Sequence, residues 1–312
     1  MTLIIAYHDG STDLDRFARW EAAFRPYIDD FKLVDLASEE AEKAIAALVW
    51  TPPEGRLAAL PKLRMIQSLG QGVDHLLTQS GLPDVPISRL VDPDMSHTLS
   101  QWIIAVLLDH LRDGPAYRAK RQNRDFSGLL QNRTFKLPVA VYGIGAIGEM
   151  VARRLDAIGF EVYGWSRSKK QIDGVECLSG PDGFLQMLGS CAVHISVLPL
   201  TNETRHLFDA KAFAAMPDGA YFINGGRGAQ VVEADLLAAV QNGHLAGAAL
   251  DVFETEPLPA DHPFWSEERI AIWPHVAAQT SPETSAEQVA QSILNVSKGL
   301  PPLNQVDVTR GY

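Results

Sequence analysis

The chain has 312 residues, 46% hydrophobic and 21% charged, a composition typical of a globular protein with two domains. Its net charge of −11 disfavours a nucleic-acid partner, because such a partner requires clustered lysines and arginines. The longest apolar runs, such as Trp102–Leu108, are far shorter than the ~20 residues that cross a bilayer, so no membrane association is expected.

The start of the chain and its cysteines predict a cytoplasmic protein. Residues Met1–Tyr7 lack a basic segment and a small-residue cleavage site, and they are therefore predicted to form a first strand. Cys177 and Cys191 are the only cysteines, and neither has a metal-binding spacing, so no metal site is expected. Cys191 lies in an apolar run and is predicted to be a buried, reduced thiol.

The first third of the chain alternates predicted strands and helices. A helix is expected over Leu14–Phe24 from its apolar spacing. The predicted strands are Leu3–Tyr7, Leu33–Leu36, Ala47–Trp50 and Met65–Leu69. This βαβ pattern indicates a parallel sheet with helices on its faces.

A long helix is predicted next, over Ser96–Arg112, with Asp94 or Ser96 as its N-cap and Asp113–Pro115 as its stop. A second βαβ series follows it. Its six predicted strands are Val139–Tyr142, Glu161–Trp165, Ala192–Leu198, Ala220–Asn224, Gly247–Leu250 and Ile270–Trp273. A final helix, Glu283–Lys298, comes after this sheet is complete and is expected to pack on the first domain.

A glycine-rich turn joins the strand Val139–Tyr142 to a predicted helix, Glu149–Ile158. The spacing G-x-G-x-x-G between a buried strand and a helix is typical of a dinucleotide site, where the glycines allow a tight turn and a close approach to the pyrophosphate. The N–H groups at the helix start would bind the phosphates. The residues predicted to contact them are Gly143, Gly145, Ala146, Ile147 and Gly148.

The following strand indicates which dinucleotide binds. NAD sites usually carry an acidic residue about 20 residues further on, to bind the ribose 2′-hydroxyl. Here the strand ends in Ser166-Arg167-Ser168-Lys169-Lys170, without a carboxylate. A guanidinium with flanking hydroxyls suits a 2′-phosphate, so NADP(H) is predicted; the alternative is a solvated basic loop.

These features predict an α/β fold with two Rossmann-like domains, each a parallel sheet with helices on both faces. A flavodoxin-like substrate-binding domain would comprise residues 1–95 and 283–312. The NADP-binding Rossmann domain would comprise residues 96–282.

Arg227, Glu256 and His275 each come just after a predicted strand of the second sheet. Ligands bind at the carboxyl ends of such strands, so the three side chains could reach one site. The imidazole of His275 can give and regain a proton near neutral pH. Glu256 would orient the ring, and Arg227 would bind an anionic group.

The chain resembles the D-2-hydroxyacid dehydrogenase family over nearly its whole length, and within it the reductases of glyoxylate and hydroxypyruvate. The motifs that carry the resemblance are Leu69–Asp74, Gly143–Gly148, Gly225–Gly228, Asp251–Pro257, Pro274-His275 and Gln305–Tyr312. Formate dehydrogenase has a similar layout but carries Gln in place of Glu256, so the Glu–His pair argues against that activity.

The resemblance implies NADPH-dependent reduction of small 2-keto acids to D-2-hydroxy acids by a homodimer. It implies further cofactor contacts at Leu198, Pro199, Gly226 and Asp251. It implies substrate contacts at Trp50, Gln71, Gly72, Val73, Met95 and Arg227, those of residues 71–73 through backbone N–H groups. Two alternatives remain open: a dehydrogenase of larger keto acids or one linked to NAD, and a nucleotide-sensing module without catalysis.

Overall fold

The computed structural model describes residues 2–10, 14–131 and 134–311. Its strands are β1 (Leu3–His8), β2 (Phe31–Asp35), β3 (Ala46–Val49), β4 (Met65–Ser68), β5 (Ile87–Ser88), β6 (Pro138–Tyr142), β7 (Glu161–Ser166), β8 (Val175–Ser179), β9 (Val193–Ser196), β10 (Ala220–Asn224), β11 (Leu245–Leu250) and β12 (Ile270–Ile272). Its α-helices are α1 (Leu14–Phe24), α2 (Asp74–Leu77), α3 (Pro93–Leu111), α4 (Gly114–Gln122), α5 (Ala146–Ala157), α6 (Gly180–Ser190), α7 (Ala210–Ala215), α8 (Glu233–Gln241) and α9 (Pro282–Ser297).

The chain forms two compact units. The first contains the described residues up to Asp94 and those from Thr280 onward. Its five strands are parallel in the order β2-β1-β3-β4-β5, the flavodoxin-like order. Helices α1 and α9 pack together in one of its two cores. The other core contains Leu76 of α2 and Leu57 and Leu60 of the β3–β4 connection.

The second unit, Met95–Gln279, contains seven parallel strands in the order β12-β11-β10-β9-β6-β7-β8. Successive residues of β6 point to opposite faces, as the strand period of two requires. Val139 and Val141 share a core with α3 and α5, whereas Ala140 and Tyr142 share the other core with α6, α7 and α8. The strand order reverses between β6 and β9, the position where doubly wound sheets bind ligands.

The predicted α/β fold class is confirmed, but two strands were missed. The second sheet has seven strands, not six, because β8 was not predicted. This strand lies at the sheet edge, its residues are partly exposed, and the polar Glu176 and the terminal Ser179 leave it without a continuous apolar run. The two-residue β5 is too short to give a periodic signal.

The predicted start of the long helix was also wrong. Helix α3 begins at Pro93, and the carboxylate of Asp92 accepts the N–H of Asp94 at 2.9 Å. Proline suits the first position of a helix, because its missing N–H has no partner there and its φ is already helical. The predicted stop at Asp113–Pro115 is followed at once by a second helix, α4, which starts at Gly114.

Candidate active site

The carboxyl ends of five neighbouring strands lie level in the second unit. Tyr142 pairs with Ser196, Ser196 with Asn224, Asn224 with Leu250, and Leu250 with Ile272. The loops that follow these residues therefore leave the sheet at one edge. These loops carry the glycine turn and the three candidate reacting groups.

Two glycines of the turn are required by the packing of the chain itself. Gly143 has a φ of +100°, and a Cβ there would lie 2.9 Å from the carbonyl oxygen of Val197. A Cβ on Gly148 would lie 2.0 Å from the carbonyl oxygen of Gly143. These glycines allow β6, β9 and α5 to approach one another.

Gly145 is different, because nothing within the chain requires a glycine there. Its φ is −95°, which any residue can adopt, and a Cβ would meet no atom within 4 Å. The N–H groups of Ala146, Ile147 and Gly148 donate to no acceptor in the part of the chain that the structure describes. Open space in front of unpaired helix N–H groups fits a dinucleotide pyrophosphate.

The basic loop after β7 is tied to the glycine turn. The Nζ of Lys170 donates a hydrogen bond to the carbonyl oxygen of Ile144, within the turn. The hydroxyl of Ser166 donates to the carbonyl of Ser168 at 2.8 Å, and Arg167 between them is exposed. The loop therefore presents positive charge next to the helix N-terminus.

His275 and Glu256 form a hydrogen-bonded pair, with 2.7 Å between Nδ1 and Oε2. His275 has a φ of +55°, and its backbone N–H donates to the carbonyl of Asp251 at 2.9 Å. The other carboxylate oxygen of Glu256 accepts the N–H of Phe253 at 2.9 Å. Both ends of the pair are thus held by the loop that follows β11.

The pKa of Glu256 lies below its usual value. Burial alone would raise this pKa, but the hydrogen bonds from His275 and the Phe253 N–H and the charges of His275 and Arg227 outweigh burial. Glu256 is therefore a carboxylate at neutral pH. A carboxylate on Nδ1 fixes the tautomer and the orientation of the His275 ring.

Asp251 holds the backbone of the loop that carries His275. Its side chain is buried, and its Oδ1 accepts the N–H groups of Val276 at 2.8 Å and Ala277 at 3.0 Å. Burial raises the pKa of Asp251, and these two hydrogen bonds oppose the increase only in part.

Arg227 lies in the turn after β10, and two buried amide side chains shape that turn. Asn224 donates its Nδ2 to the carbonyl of Arg227 and accepts the N–H of Gly226, each at 3.0 Å. Gln230 accepts the Arg227 N–H at 3.3 Å and donates to the carbonyls of Leu198 and Pro199 at 2.8 and 3.1 Å.

Gln230 was not identified from the sequence. It is fully buried and joins the Arg227 turn to the loop after β9, which carries two predicted cofactor contacts. Its signal in the sequence was weak, because it lies in a single 3₁₀ turn, Gly228–Gln230, without periodicity. A glutamine between the apolar residues Ala229 and Val231 was the only indication.

In the first unit, the segment Gly70–Val73 follows β4 and has an uneven pattern of hydrogen bonds. Three of its carbonyls, those of Gly70, Gly72 and Val73, accept hydrogen bonds from Leu90, Ser68 and Leu76. The N–H groups of Gln71, Gly72 and Val73 donate to no acceptor among residues 2–10, 14–131 and 134–311. Adjacent N–H groups of this kind suit an anion such as a carboxylate.

Trp50 lies over the same segment. Its ring centroid is 4.2 Å from that of His75, and a Cβ on Gly70 would lie 2.5 Å from the Trp50 ring. Only glycine at position 70 therefore allows this ring position. Met95, which the sequence analysis placed in the first domain, is buried in α3 and groups with the second unit, because α3 starts three residues earlier than predicted.

Among the described residues, no three His, Cys, Asp or Glu side chains are grouped as metal ligands. Within the same residues, no helix has both the length and the apolar character needed to cross a membrane.

Comparison with known proteins identifies the family. The model of the D-isomer specific 2-hydroxyacid dehydrogenase NAD-binding domain matches residues 104–277. A relative named glyoxylate/hydroxypyruvate reductase A, from Serratia proteamaculans (strain 568), is 40% identical over 272 residues, which cover 85% of this chain and 87% of the relative. The chain belongs to the D-isomer specific 2-hydroxyacid dehydrogenase family, which confirms the resemblance stated from the sequence.

Two solved structures are similar over 100% of both chains, each with a TM-score of 0.92. One is a D-isomer specific 2-hydroxyacid dehydrogenase from Xanthobacter autotrophicus Py2 in complex with NADPH and MES, at 36% identity. The other is an NADPH-dependent glyoxylate/hydroxypyruvate reductase from Sinorhizobium meliloti in complex with NADP and sulfate, at 35% identity.

Proposed function

We propose that this protein reduces small 2-keto acids, glyoxylate and hydroxypyruvate, to D-2-hydroxy acids with NADPH. The observation that carries the proposal is the 2.7 Å His275–Glu256 pair at the same sheet edge as the glycine turn. A proton donor beside a dinucleotide site is the minimum that carbonyl reduction requires. The names of the relatives support the choice of substrate and cofactor.

The glycine turn is assigned to the pyrophosphate, and Ser166, Arg167 and Ser168 to the 2′-phosphate. The positive charge of this loop and the open space at Gly145 support the assignment. The residues assigned to the nicotinamide end are Leu198, Pro199, Gly226 and Asp251. NADPH supplies the hydride when bound, and the chain supplies position and the proton.

His275 is assigned as the proton donor to the substrate carbonyl oxygen, through Nε2. Its Nδ1 is hydrogen-bonded to Glu256, so Nε2 is the ring nitrogen assigned to the substrate. When hydride is added to the carbonyl carbon, the carbonyl oxygen accepts the proton from Nε2 of His275, and the product is a 2-hydroxy acid. Arg227 is assigned to the substrate carboxylate and to the charge that develops on the oxygen.

In the first unit, the N–H groups of Gln71, Gly72 and Val73 are assigned to a carboxylate, since they have no acceptor among the described residues. Trp50 is assigned as a wall that favours small acids, and its fixed position over Gly70 supports this role. Met95 is assigned to the substrate as well, on the resemblance alone.

The test is NADPH oxidation by the purified protein with a panel of 2-keto acids, and with NADH in place of NADPH. We expect turnover of glyoxylate and hydroxypyruvate and a higher kcat/KM with NADPH. His275→Gln should lower kcat by a factor of ~10² or more while NADPH binding stays near normal. NADPH binding without turnover of any acid would instead support the nucleotide-sensing module, and preference for NADH would contradict the 2′-phosphate assignment.

We also propose a homodimer and a cytoplasmic location. Exposed apolar side chains on α4 and after it, Tyr117, Phe126 and Leu130, support an interface there. The unpaired thiols of Cys177 and Cys191 suit a reducing compartment. Light scattering after size-exclusion chromatography tests the dimer, and a mass of one chain would contradict it.

A further inference from the structure

The side chain of Gln71 carries a feature that the proposed function leaves unused. Its Oε1 is buried, and no donor among the described residues reaches it. Buried carbonyl oxygens are almost always hydrogen-bonded, because an acceptor removed from water and left without a donor is destabilising. An orphaned acceptor therefore indicates a donor that the chain itself does not provide.

Neighbouring polar groups are already committed to other partners. The hydroxyl of Ser68 donates to the carbonyl of Gly72 at 3.0 Å and accepts the N–H of Gly70 at 3.2 Å. The Nε2 of Gln67 donates to the carbonyl of Ser68 at 2.9 Å. The Gln67 and Ser68 donors therefore have acceptors of their own and are not available to Gln71 Oε1.

The position of Gln71 indicates what kind of ligand. Its backbone N–H is one of the three that the proposed function assigns to the substrate carboxylate. The side chain starts from the same residue, so it can reach an atom a short distance from that carboxylate. In a 2-keto acid the next variable position is C3. In hydroxypyruvate C3 carries a hydroxyl, in pyruvate C3 is a methyl group, and glyoxylate has no C3.

We propose that Gln71 is a specificity-determining residue whose Oε1 accepts a hydrogen bond from a hydroxyl on C3 of the substrate. The substrate class that this selects is the 3-hydroxy-2-oxo acids. An acid without the hydroxyl leaves the buried acceptor unpaired, so the site disfavours it beyond the simple loss of one contact. The inference rests on the proposed function, because it uses the same carboxylate position.

The experiment compares hydroxypyruvate with pyruvate, which differ only in the C3 hydroxyl. The quantity measured is the ratio of the two kcat/KM values in the wild type, in Gln71→Leu and in Gln71→Met. We expect the ratio to fall about tenfold in both variants, the size expected for one neutral hydrogen bond with its desolvated acceptor. Part of the change should be a gain on pyruvate, since the apolar side chain no longer leaves an acceptor unpaired.

Gln79→Leu is the matched control. Gln79 lies in the same unit and is half-buried like Gln71, but its Nε2 already donates to the carbonyl of Pro52 at 2.7 Å. The control should leave the ratio unchanged. An unchanged ratio in Gln71→Leu and Gln71→Met, or an equal fall in Gln79→Leu, would overturn the inference.

A binding measurement separates this inference from the proposed function. D-glycerate and D-lactate differ in the same hydroxyl, and each can be titrated against the wild type and the variants while Tm is followed. A larger Tm shift with D-glycerate that disappears in Gln71→Leu supports the inference even if no keto acid is turned over. Turnover of glyoxylate with equal Tm shifts would overturn the inference and leave the proposed function intact.

Discussion

Glu256 has a depressed pKa although it is partly buried, and this determines how its substitution will act. Glu256→Gln removes the negative charge beside Nδ1 of His275 and keeps a group of the same shape. We expect kcat for reduction at neutral pH to fall by a factor of ~10².

The measurement is kcat in the reductive direction at neutral pH for both proteins. An unchanged kcat in Glu256→Gln would contradict the role of Glu256. A matched exposed position is Glu254, whose substitution by Gln should leave kcat unchanged.

Gln230 is expected to affect both stability and substrate binding. Gln230→Met removes its hydrogen bonds to Arg227, Leu198, Pro199 and Ser196. Buried groups left without partners should lower the free energy of unfolding by about 2–4 kcal/mol. Because the Arg227 turn loses its support, KM for the keto acid should rise as well.

Urea unfolding and steady-state kinetics check both effects. Gln241→Met, at the exposed end of α8, serves as the control and should change the free energy of unfolding by less than about 0.5 kcal/mol. A Gln230→Met protein with unchanged KM would show that the turn holds Arg227 without this side chain.

At this scale the sequence pointed to candidate reacting groups but not to the residues that support them. Arg227, Glu256 and His275 stood out because each follows a predicted strand. Gln230 and the Asp251 contacts to Val276 and Ala277 depend on how loops from different strands meet, which no local pattern records. The left-handed backbone of His275 is likewise set by tertiary contacts.

The glycine turn allows a test at the level of one strand–helix unit. Gly145→Ala should leave Tm almost unchanged, because its φ is ordinary and its Cβ meets nothing. It should nevertheless weaken NADPH binding, because the methyl group occupies the space assigned to the pyrophosphate. Gly148→Ala should lower Tm strongly, because its Cβ would lie 2.0 Å from the Gly143 carbonyl.

Thermal unfolding and NADPH fluorescence titration distinguish the two glycines. A large loss of Tm in Gly145→Ala would show that this glycine serves packing. Normal NADPH affinity in the same variant would contradict the assignment of the turn to the pyrophosphate.

Elements with continuous apolar runs were predicted well, and edge elements were not. The strands β6, β9 and β10 are buried on both faces, and β6 and most of β10 are continuous apolar segments. β8 is an edge strand that pairs only with β7 in the described sheet, and its polar residues made it resemble a loop. The start of α3 was missed because proline at position 93 was not recognised as the first helical residue.

The stability of the whole chain should respond to Asp251. Its pKa is raised in the folded state, so folding favours its protonated form. Any stabilisation from this group is therefore greatest below the unfolded pKa and is lost as pH rises through the folded pKa. Asp251→Asn keeps an oxygen acceptor for Val276 and Ala277 without the buried charge, and should be at least as stable at pH 7.

Thermal unfolding from pH 4 to pH 8 checks this sign. The difference in Tm between Asp251→Asn and the parent should be largest at neutral pH and shrink as pH falls. A Tm of Asp251→Asn that lies below that of the parent by the same amount at pH 7 and at pH 4 would contradict the expected sign.

The layout of the molecule was the part most open to sequence reasoning. Two series of alternating strands and helices predicted two parallel sheets, and both are present. The orders of the strands within the sheets followed from analogy to known folds and not from any residue pattern. The turn Gly70–Val73 was named by resemblance, while only the structure shows that the N–H groups of residues 71–73 meet no acceptor in the described part of the chain.

Parallel strands also have a consequence for how such a protein can change. In the second unit, residues 166–170 follow β7, whereas Arg227, Glu256 and His275 follow β10, β11 and β12. The chain returns to the sheet after β7, β10 and β11, whereas after β12 it continues into α9. The segment proposed to select the coenzyme and the residues proposed to handle the proton therefore lie in separate stretches of the gene. On that proposal, substitutions within residues 166–170 should change the preference for NADPH over NADH while Arg227, Glu256 and His275 stay as they are.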